Sequence, residues 1–249
     1  MPLKESEAII LRSYPLGEGD RVVSFLDRKF GRLRGVAAGA RLTKSRFGST
    51  LEPLSHVKIW YFEKETRELV RINQCELIES FLDVQKDYQA GICLALISEV
   101  TEAVLGEREA AAAQFRLTLL AARATKAKGA SPVVLAYFSL WTARLGGWLG
   151  PLDRCARCSR TAESEDLFAP PGHAELHCLN CRETGMRKIS KVALSVGREA
   201  LSGTLDRLLD LKPSLAGSQE ILGFALDILE RHIEKKLLSR TLLDAEEIG

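Results

Sequence analysis

Apolar residues in this chain change their spacing once, near residue 80. Before that point they come in short runs. Ala8-Ile9-Ile10-Leu11 is one, and Val22-Val23-Ser24-Phe25-Leu26 is another, with Phe30-Gly31 as the break after it. Leu33 to Ala38 predicts a return strand closed by Gly39. Val57-Lys58-Ile59-Trp60-Tyr61-Phe62 is rich in β-branched and aromatic residues, as strands prefer. A charged turn, Glu63 to Glu68, leads into Leu69-Val70-Arg71-Ile72. Five short strands in about eighty residues, with no helical period among them, fit a small closed barrel better than an open sheet. The five-stranded OB-fold is the barrel of this size that buries its edges.

From about Asp83 the period becomes helical. Ile92, Leu96, Ile97, Val100 and Val104 fall on one face, and Cys93 joins them as a small core residue. Glu107 to Lys128 is alanine-rich, with Phe115, Leu119 and Ala122 as its buried stripe and Gly129 as its stop. Ser131-Pro132 predicts an N-cap with proline at the first helical position, and the helix to Leu145 is almost wholly apolar. Gly146-Gly147 and Gly150-Pro151 end it. The segment from about 152 to 184 reads as loop, with Pro170-Pro171-Gly172 as a turn between its halves. Helical pattern resumes with Ser195 as N-cap and Leu201, Leu205 and Leu208 on one stripe, and Leu211-Lys212-Pro213 breaks it. Gly217-Ser218 opens the last helix, whose stripe is Leu222, Leu226, Leu229 and Ile233. Its basic end suits the helix dipole. The expected class is α+β: an N-terminal OB-fold barrel over residues 1–80, then an all-helical domain over 81–249 with a metal loop inserted at about 152–184.

Composition changes this picture little. Apolar content of 46% and charged content of 27% describe an ordinary globule. No window is apolar enough for a spanning helix, and the start Met1 to Glu7 lacks the apolar core of a secretory signal, so a cytoplasmic address is expected. Charge is more informative. The net +2 divides into +5 over residues 1–75 and −3 over the rest. Between Arg28 and Leu51 lie Arg28, Lys29, Arg32, Arg34, Arg41, Lys44 and Arg46, with no acidic residue. Such an excess points to a polyanionic partner.

The sharpest motif is Cys155-Ala-Arg-Cys158 followed nineteen residues later by Cys178-Leu-Asn-Cys181. C-x₂-C pairs at this separation are the spacing of four-thiolate zinc sites. In a reducing compartment such pairs hold metal rather than form disulfides. Four thiolates close the shell, so His173 and His177 are expected at the surface and the metal is structural. No H-x-E stands beside a cysteine pair and no G-x₄-G-K-[ST] occurs, which leaves a zinc deaminase or P-loop enzyme without its motif. Among rings that could stack on bases, Trp60 and Phe62 share one strand face and Tyr61 takes the other. For these three, core packing is the expected role. Phe47 lies in the glycine-flanked loop beside Lys44 and Arg46 and is assigned to DNA with them.

Three stretches resemble the RecO family of bacterial recombination mediators. Ala38 to Gly48 is similar to its glycine-basic "KSRFG" stretch, with Leu51-Glu52-Pro53 after it; Leu145 to Cys155 resembles the approach to its zinc loop; Ile228 to Ser239 resembles its terminal helix. Where the family has a glycine just after the first cysteine pair, this chain has Ser159-Arg160. The resemblance implies a non-enzymatic protein that binds single- and double-stranded DNA and anneals complementary strands. With RecR as partner it would help RecA replace single-strand-binding protein, whose acidic-apolar C-terminal tail needs an apolar groove with a cation at its rim. Helices around 110–145 and 220–237 are the expected place for that groove. Whether RecF is also a partner stays open. The alternative is an RNA-binding or transcription-associated module, in which a basic barrel and a zinc ribbon also occur together.

Overall fold

In the computed structural model, residues 3–64 and 67–245 are described. Of the expected charged turn, Glu65 and Thr66 lie outside them. The chain divides into two compact units, residues 1–129 and 130–249.

Five strands build the first unit: β1 (Leu3–Leu16), β2 (Asp20–Asp27), β3 (Gly31–Ala37), β4 (His56–Phe62) and β5 (Val70–Glu79). Their pairing runs β1-β2-β3-β5-β4 and returns to β1, a closed barrel of the expected OB type. Alternation is clean on β4, where Val57, Ile59 and Tyr61 face the core while Lys58, Trp60 and Phe62 face outward. Phe25 meets Tyr61 edge to face, with centroids 5.7 Å apart.

The weakest seam is β3 against β5, parallel over only three residue pairs, Gly35 to Ala37 with Val70 to Ile72. The first half of β3 would be an open edge. The chain at 105–109 covers it: Arg108 N donates to Arg32 O at 2.9 Å, and Arg32 Nε donates to Leu105 O at 2.9 Å. The approach demands glycine at position 31, where a Cβ would stand 1.7 Å from Glu109 O. The helix expected from Glu107 therefore starts later, as α2 (Ala112–Lys128), because pairing with β3 wins over the alanines' helical preference.

Before it stand a short 3₁₀ turn (Leu82–Lys86) and α1 (Tyr88–Val104), which buries Ile92, Cys93, Leu96, Ile97 and Val100. Both helices are tied to strands. Ser98 Oγ donates to Leu11 O at 2.7 Å, Arg12 pairs with Glu102 at 2.9 Å, and Arg123 pairs with Glu79 at 2.7 Å. The compact unit therefore continues past the last strand to Gly129.

The second unit is helical: α3 (Pro132–Leu145), α4 (Lys191–Ser202), α5 (Leu205–Asp210), α6 (Leu215–His232) and α7 (Leu238–Ala245). Caps differ from expectation in three places. Ser131 precedes Pro132 but makes no side-chain cap. Ser190, not Ser195, caps α4 by accepting from Ala193 N, so Ser195 lies inside the helix. Ser214, not Gly217-Ser218, opens α6 by accepting from Gly217 N. The stripe Leu201-Leu205-Leu208 is divided by Gly203 and the Thr204 cap of α5. Between α3 and α4 the chain forms a small hairpin of β6 (Leu167–Ala169) and β7 (Arg187–Ile189) around the cysteine segment.

Candidate metal and nucleic-acid sites

The Sγ atoms of Cys155, Cys158, Cys178 and Cys181 lie within 4.8 Å of one another, and none of the four is in a disulfide. A tetrahedron with Zn–S arms of about 2.3 Å has sulfurs about 3.8 Å apart. Cys158 and Cys178 stand 3.8 Å apart. The residues fit a closed four-thiolate site.

Local backbone makes the two knuckles. Ser159 N donates to Cys155 O at 2.9 Å, and Cys181 N donates to Cys178 O at 3.0 Å. Ser159, the residue standing in for glycine, takes φ of 58°, a left-handed conformation that glycine adopts at lower cost. Burial opposes ionisation of Cys155, yet the N–H groups of Cys178, Cys158 and Arg157 hold its thiol down at about 6. Cys178 is similarly lowered: burial opposes, but the Cys181 thiol and the N–H groups of Cys181 and Asn180 prevail. Cys181 is pushed up to about 12, first by its hydrogen bond to Cys178 and then by burial. Clustered thiols in this state need a cation to ionise together. His173 and His177 are half-buried rather than exposed, and neither joins the cluster; His177 pairs its backbone with Phe168.

The basic residues of the barrel separate into two groups. On β2–β3, Arg28 pairs with Glu7 at 3.0 Å and Arg34 lies 2.6 Å from Glu107. Arg32 is largely covered, held by Leu105 O and facing Glu107 at 3.9 Å. These three charges are compensated within the unit. Lys29 is exposed after β2, and no carboxylate lies within ion-pair distance of it among the described residues.

The β3–β4 loop, residues 38–55, behaves differently. Arg41 clasps the β1–β2 turn, its guanidinium donating to Gly17 O at 2.7 Å and its N–H to Gly19 O at 2.9 Å. Lys44 and Arg46 are exposed, and Arg46 stacks over the Phe47 ring at 5.0 Å. Among the described residues none of the three has a carboxylate within ion-pair distance. Phe47 itself departs from expectation. It is 1% exposed and packs in the barrel core with Leu51, so it offers no face to a base. A loop that must close the end of a barrel needs an apolar plug, and Phe47 is that plug rather than a stacking ring. Trp60 keeps a half-exposed ring, with Lys58 Nζ 4.8 Å above it and its N–H donated to Glu5.

One further surface was not legible. A groove of about 600 Å³ lies between α4 and the α5–α6 turn, with Val192, Val196, Leu208 and Leu211 among its walls and Lys191 and Arg198 at its border. Glu163 and Glu199 also line it. It falls outside the helices expected to form a partner groove. Its signal in the sequence was the exposed apolar step Leu211-Lys212-Pro213, which reads only as a helix break.

An OB barrel with a cationic loop, followed by a helical unit with a tetrathiolate knuckle, defines a class of binding protein rather than one protein. Comparison with known proteins narrows it. Residues 1–81 match the family described as Recombination protein O N terminal, and residues 85–241 match Recombination protein O C terminal. The chain is similar to the DNA repair protein RecO of Koribacter versatilis, 34% identical over 242 residues, covering 97% of this chain and 98% of the relative. It is also similar to the DNA repair protein RecO of Frankia casuarinae, 31% identical over 247 residues, covering 98% and 99%. The chain belongs to the RecO family.

Proposed function

We propose that this protein is a non-enzymatic mediator of DNA repair and recombination in the cytoplasm. It binds single- and double-stranded DNA, anneals complementary strands and, with RecR, helps RecA replace single-strand-binding protein. The observation that carries the DNA reading is the uncompensated charge of Arg41, Lys44 and Arg46 on one exposed loop. Phosphate contacts need cations and no particular bases, which suits a protein that must act anywhere on a chromosome. Lys29, in the turn at the other end of the β2–β3 hairpin, is a separate exposed cation. Arg28, Arg32 and Arg34 serve the barrel first, through Glu7 and Glu107.

The groove beside α4 supports the partner reading. Its apolar walls and Lys191 suit an acidic-apolar peptide end such as the tail of single-strand-binding protein, while Arg198 donates to Leu152 O and Glu163 O. The four cysteines would hold Zn²⁺ in a structural role, filling all four positions, and the ion would order the segment rather than activate a substrate.

Annealing of complementary DNA oligonucleotides, followed by energy transfer between end labels and without any nucleotide present, tests the reading. Annealing faster than the protein-free rate is expected. Tight binding of RNA alone, with no acceleration on DNA, would favour the transcription-associated alternative.

A further inference from the structure

Rings and unpaired cations also meet outside the barrel loop and the thiolate cluster. At the carboxyl end of α6 the His232 imidazole lies on the Trp148 indole, with centroids 4.2 Å apart and planes at 25°. Backbone at Gly146 also approaches the indole closely. A Cβ on Gly146 would sit 2.7 Å from indole ring atoms, so glycine is what leaves room for the ring there. His232 is exposed and Trp148 is half-buried beside it.

Both rings line a cavity of about 320 Å³, together with His173 and Arg231. A second cavity of about 470 Å³ shares Arg231 and Gly172 and is bordered by Lys235 and Lys236. Carboxylates are present, but most are taken. Asp227 and Glu230 are bound by Arg187, Arg240 and Lys236, and Glu175 lies 3.6 Å from His173. Glu234 is exposed at the border. Arg231 and Lys235 have no carboxylate within ion-pair distance among the described residues. A helix C-terminus favours cations, but that preference explains neither the imidazole stacked on an indole nor the cavity beside it.

We propose that this cleft is a second contact for single-stranded DNA. One base stacks on the outer face of His232, backed by Trp148, and Arg231 holds the adjoining phosphate, with Lys235 next along the strand. The proposal rests on the DNA reading above and extends it to the helical unit. Annealing requires two strands to be held at once, and the barrel loop and this cleft give each strand its own contact.

The test uses the full chain and an oligothymidylate substituted with bromodeoxyuridine. Ultraviolet cross-linking and peptide mapping should place adducts on peptides containing Trp148 or His232. In anisotropy titrations His232→Ala should weaken binding about five- to tenfold and His232→Phe should restore it, because stacking needs a ring and not an imidazole. Arg231→Ala should lower the salt slope by about 0.7. The proposal is overturned if adducts fall only on barrel peptides and both alanine variants bind within about twofold of wild type. It is equally overturned if His232→Phe binds as weakly as His232→Ala. Should His232→Ala fail to fold, the cross-link map of the wild type decides. Loss of binding on replacing Arg41, Lys44 and Arg46, with the cleft variants unchanged, sinks the cleft alone. The reverse pattern sinks the barrel reading alone. A wild type that ignores DNA sinks both.

Discussion

The barrel and the cysteine segment are held together by different physics. The barrel is a ring of paired strands around Phe25, Ile59, Tyr61 and Ile72, each fully buried. Burial of apolar surface is enough to stabilise such a unit. The segment from 152 to 189 has two three-residue strands and a thin core of Leu152, Leu167, Phe168, Leu176 and Ile189. It returns little apolar area for the backbone it must order, and four thiols stand where a core would otherwise be. One chain therefore contains a region built on a buried apolar core and a region built around four clustered thiols.

The largest effect that would test this contrast is on the metal. Chelation, or Cys178→Ser, should remove on the order of 10 kcal/mol of metal-linked ordering from the segment. Hydrogen exchange should show protection lost around 152–189 and kept in β1–β5. Uniform loss across both regions would show that the barrel also depends on the ion.

Next comes the plug. Phe47→Ala should cost about 3–5 kcal/mol in denaturant unfolding, as for a large ring removed from a core. Unchanged stability with weakened DNA binding would return Phe47 to the stacking role that its neighbours Lys44 and Arg46 suggest.

The loop cations should act the opposite way. Replacing Arg41, Lys44 and Arg46 with alanine should leave stability nearly unchanged and lower the single-strand salt slope by about 2. An unaltered slope would remove the loop from the interface.

The smallest expected effect is a pH dependence inside the barrel unit. His56 is buried against Phe115, with ring centroids 5.8 Å apart and Nε2 3.4 Å from Glu7. Burial lowers its pKa below 6.5, with Arg123 acting the same way, while Glu7 and Glu79 oppose. The unfolded chain therefore takes up this proton at a higher pH than the folded one. Stability should be level above about 6.5 and decline as pH falls from there toward the folded value. His56→Leu should flatten that decline in denaturation curves compared between about pH 7.5 and about pH 5.5. An equal slope in both proteins would assign the decline to other groups.

Legibility followed the range of the forces involved. The strands around Val22 and Val57 were readable because β-branched residues and alternation act locally. The thiol cluster was readable because each C-x₂-C knuckle is a local turn, and the two pairs stand at the spacing of a four-thiolate site. Three errors had longer reach. Glu107 to Ala111 carries helical residues but is drawn into extended pairing by Arg32, which lies on a strand far away in the chain. Ser195 and Ser190 are equally good caps by composition, and packing of α4 chose the second. An apolar residue in a loop is outward or inward according to what the loop must cover, and Phe47 covers the end of a barrel.

Residue order alone settled the five barrel strands, the main helices, which four cysteines cluster, and where positive charge accumulates, since each depends on neighbours within a few positions. Which of those charges remain free could not be decided that way. Sequence sets Arg41, Lys44 and Arg46 apart only by their glycine-flanked loop, whereas folding brings Glu7 and Glu107 to Arg28, Arg32 and Arg34 and, among the described residues, no carboxylate to the loop cations. A charge is cancelled by whatever lies within a few ångströms of it in space, and that neighbourhood exists only once the chain has folded.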